Sequence, residues 1–402
     1  MYQKTFKWDK KAVILLPVMS AVYLFNPEND MALASGSPYY MAPANIKKMA
    51  ADLAALPAWY APPGSGVLVP DERMGEWMMK EYGNMLDVEW LIDVPESCDR
   101  VCPWGWNHSM LRRLNEQGIS KESLLSDEQM SRIRILSSRQ RAVELLPRLR
   151  VEQTLGESFL LTSLENLKAF ESKGEKVLLK SPWSGSGKGV RMVEDLSDPS
   201  VYGWAKRVVS SQGAIVVEPY YNKVVDFAME FQVGNKGISF VGYSLFETDV
   251  RGIYKGNVLA SNAMIEQELS EYVPLNVLKC IQEKCVDELK EVYCGAYEGY
   301  LGVDMMICRD GDEYYVHPCV EVNLRMNMGV VSRLLYDRFL SDGVKGTYAI
   351  EYFPNPGDAL AFHERMKHDY PMNVKSKRIN SGYLSLSSVF GETSYLIFIL
   401  LK

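Results

Sequence analysis

A mixed α/β (α+β) chain is the fold class that this sequence predicts, on three observations. Apolar runs and helical patterns alternate from Ala21 to about Arg134. A short apolar strand, Val177–Lys180, runs into a Gly/Ser-rich segment. Two long hairpin signals follow, each with a helical stretch behind it. At 402 residues the chain exceeds the size at which one hydrophobic core keeps growing, so two or three packed sub-domains are expected.

Composition narrows the function classes. With 47% hydrophobic and 24% charged residues the chain reads as an ordinary globular protein with enough apolar mass for a sizeable core. A net charge of -7 argues against a basic face that tracks a phosphate backbone, so nucleic acid is not an expected partner. The seven cysteines are odd in number and scattered, several inside apolar runs, which suits buried free thiols in a reducing cytoplasm. The apolar stretch Ala12–Val18 is short for a secretory signal, with Asp9 before it and the polar run Asn26–Asp30 after it. Residues 1–18 then read as an extension ahead of a start at Met19. The terminal "YLIFILLK" is far below the roughly 20 apolar residues that span a bilayer and reads as a strand, so no membrane partner is expected.

Element by element, "AVYLF", "GVLVP" and "VEWLIDV" are strands of a small α/β layer, and "WNHSMLRRL" is a strand end turning into a helix capped by Asn107 or Ser109. A helix is expected from about Asp198 to Ser211, then a strand "AIVVE" ending at Glu218. "VVDFAMEFQV" and "GISFVGYSLF" alternate around "GNKG", a hairpin signal. A helical stretch broken at Pro274 places Leu278, Ile281, Cys285, Leu289 and Val292 on one stripe. Leu301–Cys308 and Tyr314–Asn323 form the second hairpin around "RDGD", and "MGVVSRLLYDRFL" is the helix behind it. The tail from about Gly343 holds a helix, Pro356–His368, and a closing strand pair around "VFGET".

The segment "LGVDMMICRDGDEYYVHPCVEVNLRMNMG" carries the most chemistry. Residues two apart on a strand share a face, so Glu321, Asn323 and Arg325 present two oxygen ligands and a guanidinium side by side, with Asp304 on the partner strand. Two carboxylates and an amide oxygen suit Mg²⁺, which takes a few hard oxygens and leaves the rest of its octahedron to phosphates and water. The plainer reading is that inward carboxylates on a hairpin pair with lysines. Lys180 ends an apolar strand, and Gly185, Gly187 and Gly189 let backbone N–H groups approach phosphate oxygens, although the spacing is not that of a Walker A loop. Backbone from Glu218 to Tyr221 suits an adenine, and Asp226 suits ribose hydroxyls. His363 and His368, five apart, and Cys98 with Cys102 lack the spacing of a zinc site. His317 shares strand parity with Glu321 but reads first as a core or rim histidine. Trp104 and Trp106 floor a pocket or pack a core, and packing is the favoured reading.

Taken in order, these elements resemble the ATP-grasp superfamily over roughly Ser137 to Leu340, and the Glu-x-Asn-x-Arg ending at 321–325 is most similar to biotin carboxylase and other carboxylate-activating members. The resemblance implies an ATP-grasp fold with an N-terminal α/β pre-grasp domain: 19–135 as pre-grasp domain, 136–212 and 213–342 as first and second lobes, and 343–402 packing on the grasp domain. It implies nucleotide contacts by Arg139, with Arg141 as the alternative, and by Lys180, Ser186, Gly187, Lys188, Glu218, Tyr221 and Asp226. Asp304, Glu321 and Asn323 are the implied ligands of two Mg²⁺ ions, with Mn²⁺ as a substitute; Lys180 and Arg325 are the implied catalytic residues. Two departures stand out: Arg139 replaces a lysine common in the family, and Gly302 stands where dipeptide ligases carry an arginine. Lys255 or Arg251 is a candidate substrate-side cation.

The activity so implied is an ATP- and Mg-dependent carboxylate-amine ligase working through an acyl phosphate, in the cytoplasm, on small-molecule carboxylate and amine substrates. The alternatives are a kinase acting on a small-molecule acceptor and a non-catalytic ATP-binding module. A homodimer is compatible with the resemblance.

Overall fold

A computed structural model describes residues 21–95, 98–170, 176–184, 189–248 and 254–402. The expectations for residues 1–18, Gly185, Ser186, Gly187, Lys188 and Arg251 lie outside the described residues. Within them three sheets form.

The first sheet is parallel, with β1 (Val22–Leu24), β2 (Ser65–Leu68), β3 (Val88–Leu91) and β4 (Val101–Pro103) in the order β3-β2-β1-β4. Helices α1 (Asn29–Ser35), α2 (Ala44–Asp52), α3 (Glu72–Tyr82) and α4 (His108–Glu116) connect and follow these strands. Asn107, not Ser109, caps α4: its Oδ1 accepts the Met110 N–H at 2.9 Å, and the Ser109 hydroxyl donates to the same oxygen at 2.8 Å.

Helices α5 (Asp127–Leu136) and α6 (Gln140–Leu145) lead to an antiparallel sheet of β5 (Phe159–Leu161), β6 (Val177–Lys180), β7 (Val190–Val193) and β8 (Ile215–Pro219), with α7 (Leu164–Ala169) and α8 (Pro199–Gln212) on one face. Strand parity divides "VLLK": Val177 and Leu179 join Ile215 and Val217 in the core under the helices, so Lys180 and Glu218 point the other way. Although 213 was the expected start of the next unit, β8 pairs with β5 and β6 and lies in this sheet.

The third sheet has nine antiparallel strands: β9 (Lys223–Gly234), β10 (Gly237–Thr248), β11 (Tyr254–Leu259), β12 (Gly299–Asp310), β13 (Glu313–Asn323), β14 (Gly346–Tyr352), β15 (Asn373–Lys375), β16 (Arg378–Ser385) and β17 (Tyr395–Leu401). They run in the order β13-β12-β9-β10-β11-β14-β17-β16-β15. Its helices are α9 (Asn262–Leu269), α10 (Leu275–Tyr293), α11 (Met328–Phe339) and α12 (Asp358–Asp369). One face of the sheet is apolar, with Phe227, Met229, Phe231, Leu301, Val303 and Met305 packing in one core with Leu278, Ile281, Cys285 and Leu289 of α10. Burying each such side chain contributes roughly 1.5–3 kcal/mol. The opposite face presents Asp226, Glu230, Asp304 and Glu321, in register across three neighbouring strands. The tail does not merely pack on this sheet; β14 to β17 extend it.

Trp104 takes the core packing expected of it: it is 5% exposed and edge-on to Phe25, because its strand end is sealed between the first layer and the large sheet. One expectation needs correction. Of the cysteines, Cys280 is exposed because its position on α10 turns away from the apolar face. No described helix is long and apolar enough to cross a membrane.

At the β11–β14 seam Gly256 lies opposite Ala349, and a Cβ there would run into the Tyr348 carbonyl oxygen. Gly256→Val is expected to lower stability by about 1–3 kcal/mol, read as a fall in the urea midpoint. Gly234→Ala, whose Cβ meets open space, is expected to leave the midpoint unchanged.

Candidate active site

The sequence-predicted residues lie on or beside the second and third sheets, and Arg139 joins the two by bonding to Ser181, just after β6, and to Glu321 on β13. On β6, Lys180 is 4% exposed and ion-paired with Glu218 of β8, itself 4% exposed. Glu218 also accepts the Ser158 hydroxyl at 3.0 Å. Both groups are so enclosed that removing either partner strands a buried charge, at a cost of about 3–5 kcal/mol. Beyond Pro219, the Tyr221 hydroxyl accepts the Glu157 N–H at 2.9 Å, and burial pushes its pKa up to about 12. Its ring stands against His317 at 5.5 Å. His317 is fully buried, and burial lowers its pKa to about 4, so it is a neutral core residue. On β9, Asp226 pairs with Lys223 and accepts the Thr248 hydroxyl at 2.8 Å.

Asp304 on β12 lies directly opposite Glu321 on β13, and Gly302 opposite Asn323. The Asn323 amide donates to Asp304 at 3.0 Å. Burial, then the Glu321 charge, raises Asp304 to about 7. Among the described residues no three His, Cys, Asp or Glu side chains converge. Asp304 and Glu321 offer two carboxylates, and Asn323 turns its amide oxygen to Arg325, oxygen chemistry that would suit a hard divalent cation bound jointly with phosphate rather than a closed protein cage. The mutual repulsion of Asp304 and Glu321 is what such a cation would relieve.

Of the two candidate arginines, Arg139, just before α6, is the one that meets Glu321. Its guanidinium is 5% exposed and donates to Glu321 at 2.9 Å, to the Ser181 carbonyl at 2.7 Å and to the Ser184 hydroxyl at 2.5 Å, leaving Nε without a partner. Arg141 pairs with Glu144 of its own helix at 2.7 Å. Arg325 donates through Nε and Nη2 to the two oxygens of Asp30 in α1, both at 2.7 Å, and through Nη2 to Asn323 at 3.0 Å. Lys255 is exposed on β11.

Two acids of this region escaped the reading of the sequence. Asp30 sits in the polar run "NPEND" with no local sign that it meets an arginine 295 positions away. Glu230 was legible: Asp226, Ala228 and Glu230 repeat at period two inside "VVDFAMEF" and so share the polar face. Glu230 is 1% exposed and accepts the Asn327 amide at 2.8 Å. A Cβ at Gly302 or Gly329 would collide with its carboxyl, so both glycines make room for it. Burial raises Glu230 to about 8, so it carries a proton at neutral pH.

The folded protein thus keeps a proton at Glu230 that the unfolded chain gives up near the ordinary value of 4.5. This stability is fully present below that value, falls as pH rises, and is lost as pH passes about 8. Glu230→Gln is expected to flatten the profile and to gain on the parent protein from about pH 5 to about pH 8, by roughly 1.4 kcal/mol for each pH unit crossed. Urea unfolding at the two ends of that range measures it; parallel profiles would contradict the assignment.

No protein-family profile matches the chain, and no curated protein matches it. Solved structures do. Biotin carboxylase from Campylobacter jejuni, in a β-γ-ATP complex, is 13% identical with a TM-score of 0.53, over 96% of this chain and 87% of that one. N5-carboxyaminoimidazole synthetase from Staphylococcus aureus, complexed with ADP, is 14% identical with a TM-score of 0.49, over 96% and 94%. The biotin carboxylase domain dimer of Hydrogenobacter thermophilus 2-oxoglutarate carboxylase is 12% identical with a TM-score of 0.49, over 96% and 86%. At such identities the likeness is one of fold, carried by the first of these structures. Together with the three sheets and the cleft between them, it shows that this chain has the ATP-grasp fold, preceded by an N-terminal α/β layer.

Proposed function

We propose that this chain is an ATP- and magnesium-dependent ligase that activates a substrate carboxylate as an acyl phosphate and joins it to an amine. The observation that carries the reading is the linked set Arg139–Glu321 and Arg325–Asn323–Asp304, with the buried Lys180–Glu218 pair on the neighbouring sheet, on a fold shared with a nucleotide-bound biotin carboxylase. Cations and oxygen donors in that mixture suit a triphosphate and its metal.

In this reading Lys180 and Arg139 hold phosphate oxygens, exchanging Glu218 and Glu321 for them. Tyr221 and its neighbouring backbone flank the base, and Asp226 accepts from the ribose. Asp304, Glu321 and Asn323 would hold magnesium, which when bound neutralises phosphate charge and orients the terminal phosphoryl group. Ser186, Gly187 and Lys188 complete the phosphate contacts by their place between β6 and β7.

A substrate carboxylate oxygen attacks the γ-phosphorus while the bond to the β–γ bridging oxygen breaks, and ADP leaves. The amine then attacks the acyl carbon, a C–N bond forms, phosphate departs with the C–O bond pair, and the amine loses a proton. Arg325 faces the growing phosphoryl charge. No protein nucleophile is required, so the chain's task is positioning and charge neutralisation.

An ADP-release screen over carboxylates with a pool of amines, followed by product analysis, tests the reading. Amide and free phosphate are the expected products; a phosphorylated acceptor without free phosphate would replace the ligase by a kinase. Nucleotide binding without turnover on any pair would favour a binding module. Glu321→Ala is expected to reduce turnover by roughly 10²–10³-fold, and full turnover in that variant would refute the metal assignment.

A further inference from the structure

Between α1 and the end of β13 lies a narrow cleft whose charged walls are Asp30, Glu321 and Arg325, flanked by Leu33, Trp183 and Leu324. Asp30 and Arg325 meet there in a two-pronged pair, 2.7 Å on each prong, with side chains 24% and 17% exposed. The pair is therefore reachable, unlike the enclosed pair of Lys180 and Glu218.

The ligase reading, on which this inference rests, needs a substrate carboxylate close to Arg325. That guanidinium already holds a carboxylate in the geometry a substrate would use. A substrate bearing only a carboxylate would displace Asp30 and leave it partly buried and unpaired near Glu321, a like charge. Glu321 is matched by Arg139, so Asp30 and Arg325 are the pair whose partners a ligand would have to replace. A ligand with an ammonium beside its carboxylate meets both partners at once. Because Asp30 and Arg325 touch each other, the two ligand charges must lie within a few ångströms, as on a single carbon.

We infer that the activated carboxylate belongs to an α-amino acid, with Asp30 reading its ammonium and Arg325 its carboxylate. Asp30 is then the residue that sets specificity, holding Arg325 in place until the substrate arrives.

The test uses the full chain with MgATP and hydroxylamine, which traps an acyl phosphate as a hydroxamate. The twenty common amino acids are each run against the acid of the same skeleton without its amino group. At least one amino acid is expected to exceed its partner by about 100-fold in kcat/KM, the discrimination expected when a buried charge is left unmatched. Asp30→Asn is expected to shrink that ratio to under about 10-fold, mainly through KM, while Asp30→Glu restores part of it. Equal use of the two acids, or a ratio untouched in Asp30→Asn at an unchanged melting temperature, would overturn the inference. Calorimetric titration with MgATP on the same preparations separates the two readings. Absence of MgATP binding defeats the ligase proposal itself; MgATP binding with turnover of the des-amino acids, or with no amino acid turned over, defeats the amino-acid inference.

Discussion

The pairing of Asp304 with Glu321 across β12 and β13 is the constraint around which the rest of the site is arranged. Two carboxylates side by side on a half-buried sheet face repel each other; burial first, and then the Glu321 charge, raises Asp304 to about 7. The sheet can hold them there because its other face is continuously apolar and locked onto α10. A register slip of one residue would send every one of these acids into that core, so burial of the apolar face fixes the position of the polar one.

Around this acidic centre the cations are already in use. Lys180 is held by Glu218, Arg139 by Glu321, Arg325 by Asp30, and Lys223 by Asp226. Each pair satisfies groups that would otherwise be costly in a partly dry cleft. Two of the pairs, Arg139 with Glu321 and Arg325 with Asp30, span elements distant in sequence and so tie those elements together as well as balancing charge. A phosphate-bearing ligand would have to take these cations from their present partners, and the release of Glu218, 4% exposed, is a cost that its contacts must offset.

The N-terminal layer takes part in the same exchange of partners. Asp30 reaches Arg325, and the Met326 N–H donates to the Trp104 carbonyl at 2.9 Å, so the strand end that carries Arg325 is tied at two points to the first sheet. Glu230 is different in kind: sealed by Asn327 and two glycines, it stays protonated and acts as a neutral polar spacer beneath the site.

Strand parity and turn chemistry made much of this fold legible in the sequence alone. Both hairpins, the strand ending at Lys180, the split helix at Pro274 and the shared face of Asp304, Glu321 and Asn323 follow from period-two and period-3.6 patterns, which are local. Those patterns also contained Glu230, which the same parity argument reaches. What they could not contain is pairing between segments. That Arg139 rather than Arg141 faces Glu321, that β8 belongs with β5 and β6, and that Asp30 holds Arg325 were decided by tertiary structure. Side chains that meet across 182 or 295 residues leave no periodic mark, because a long-range ion pair is selected by packing geometry and not by its neighbours along the chain.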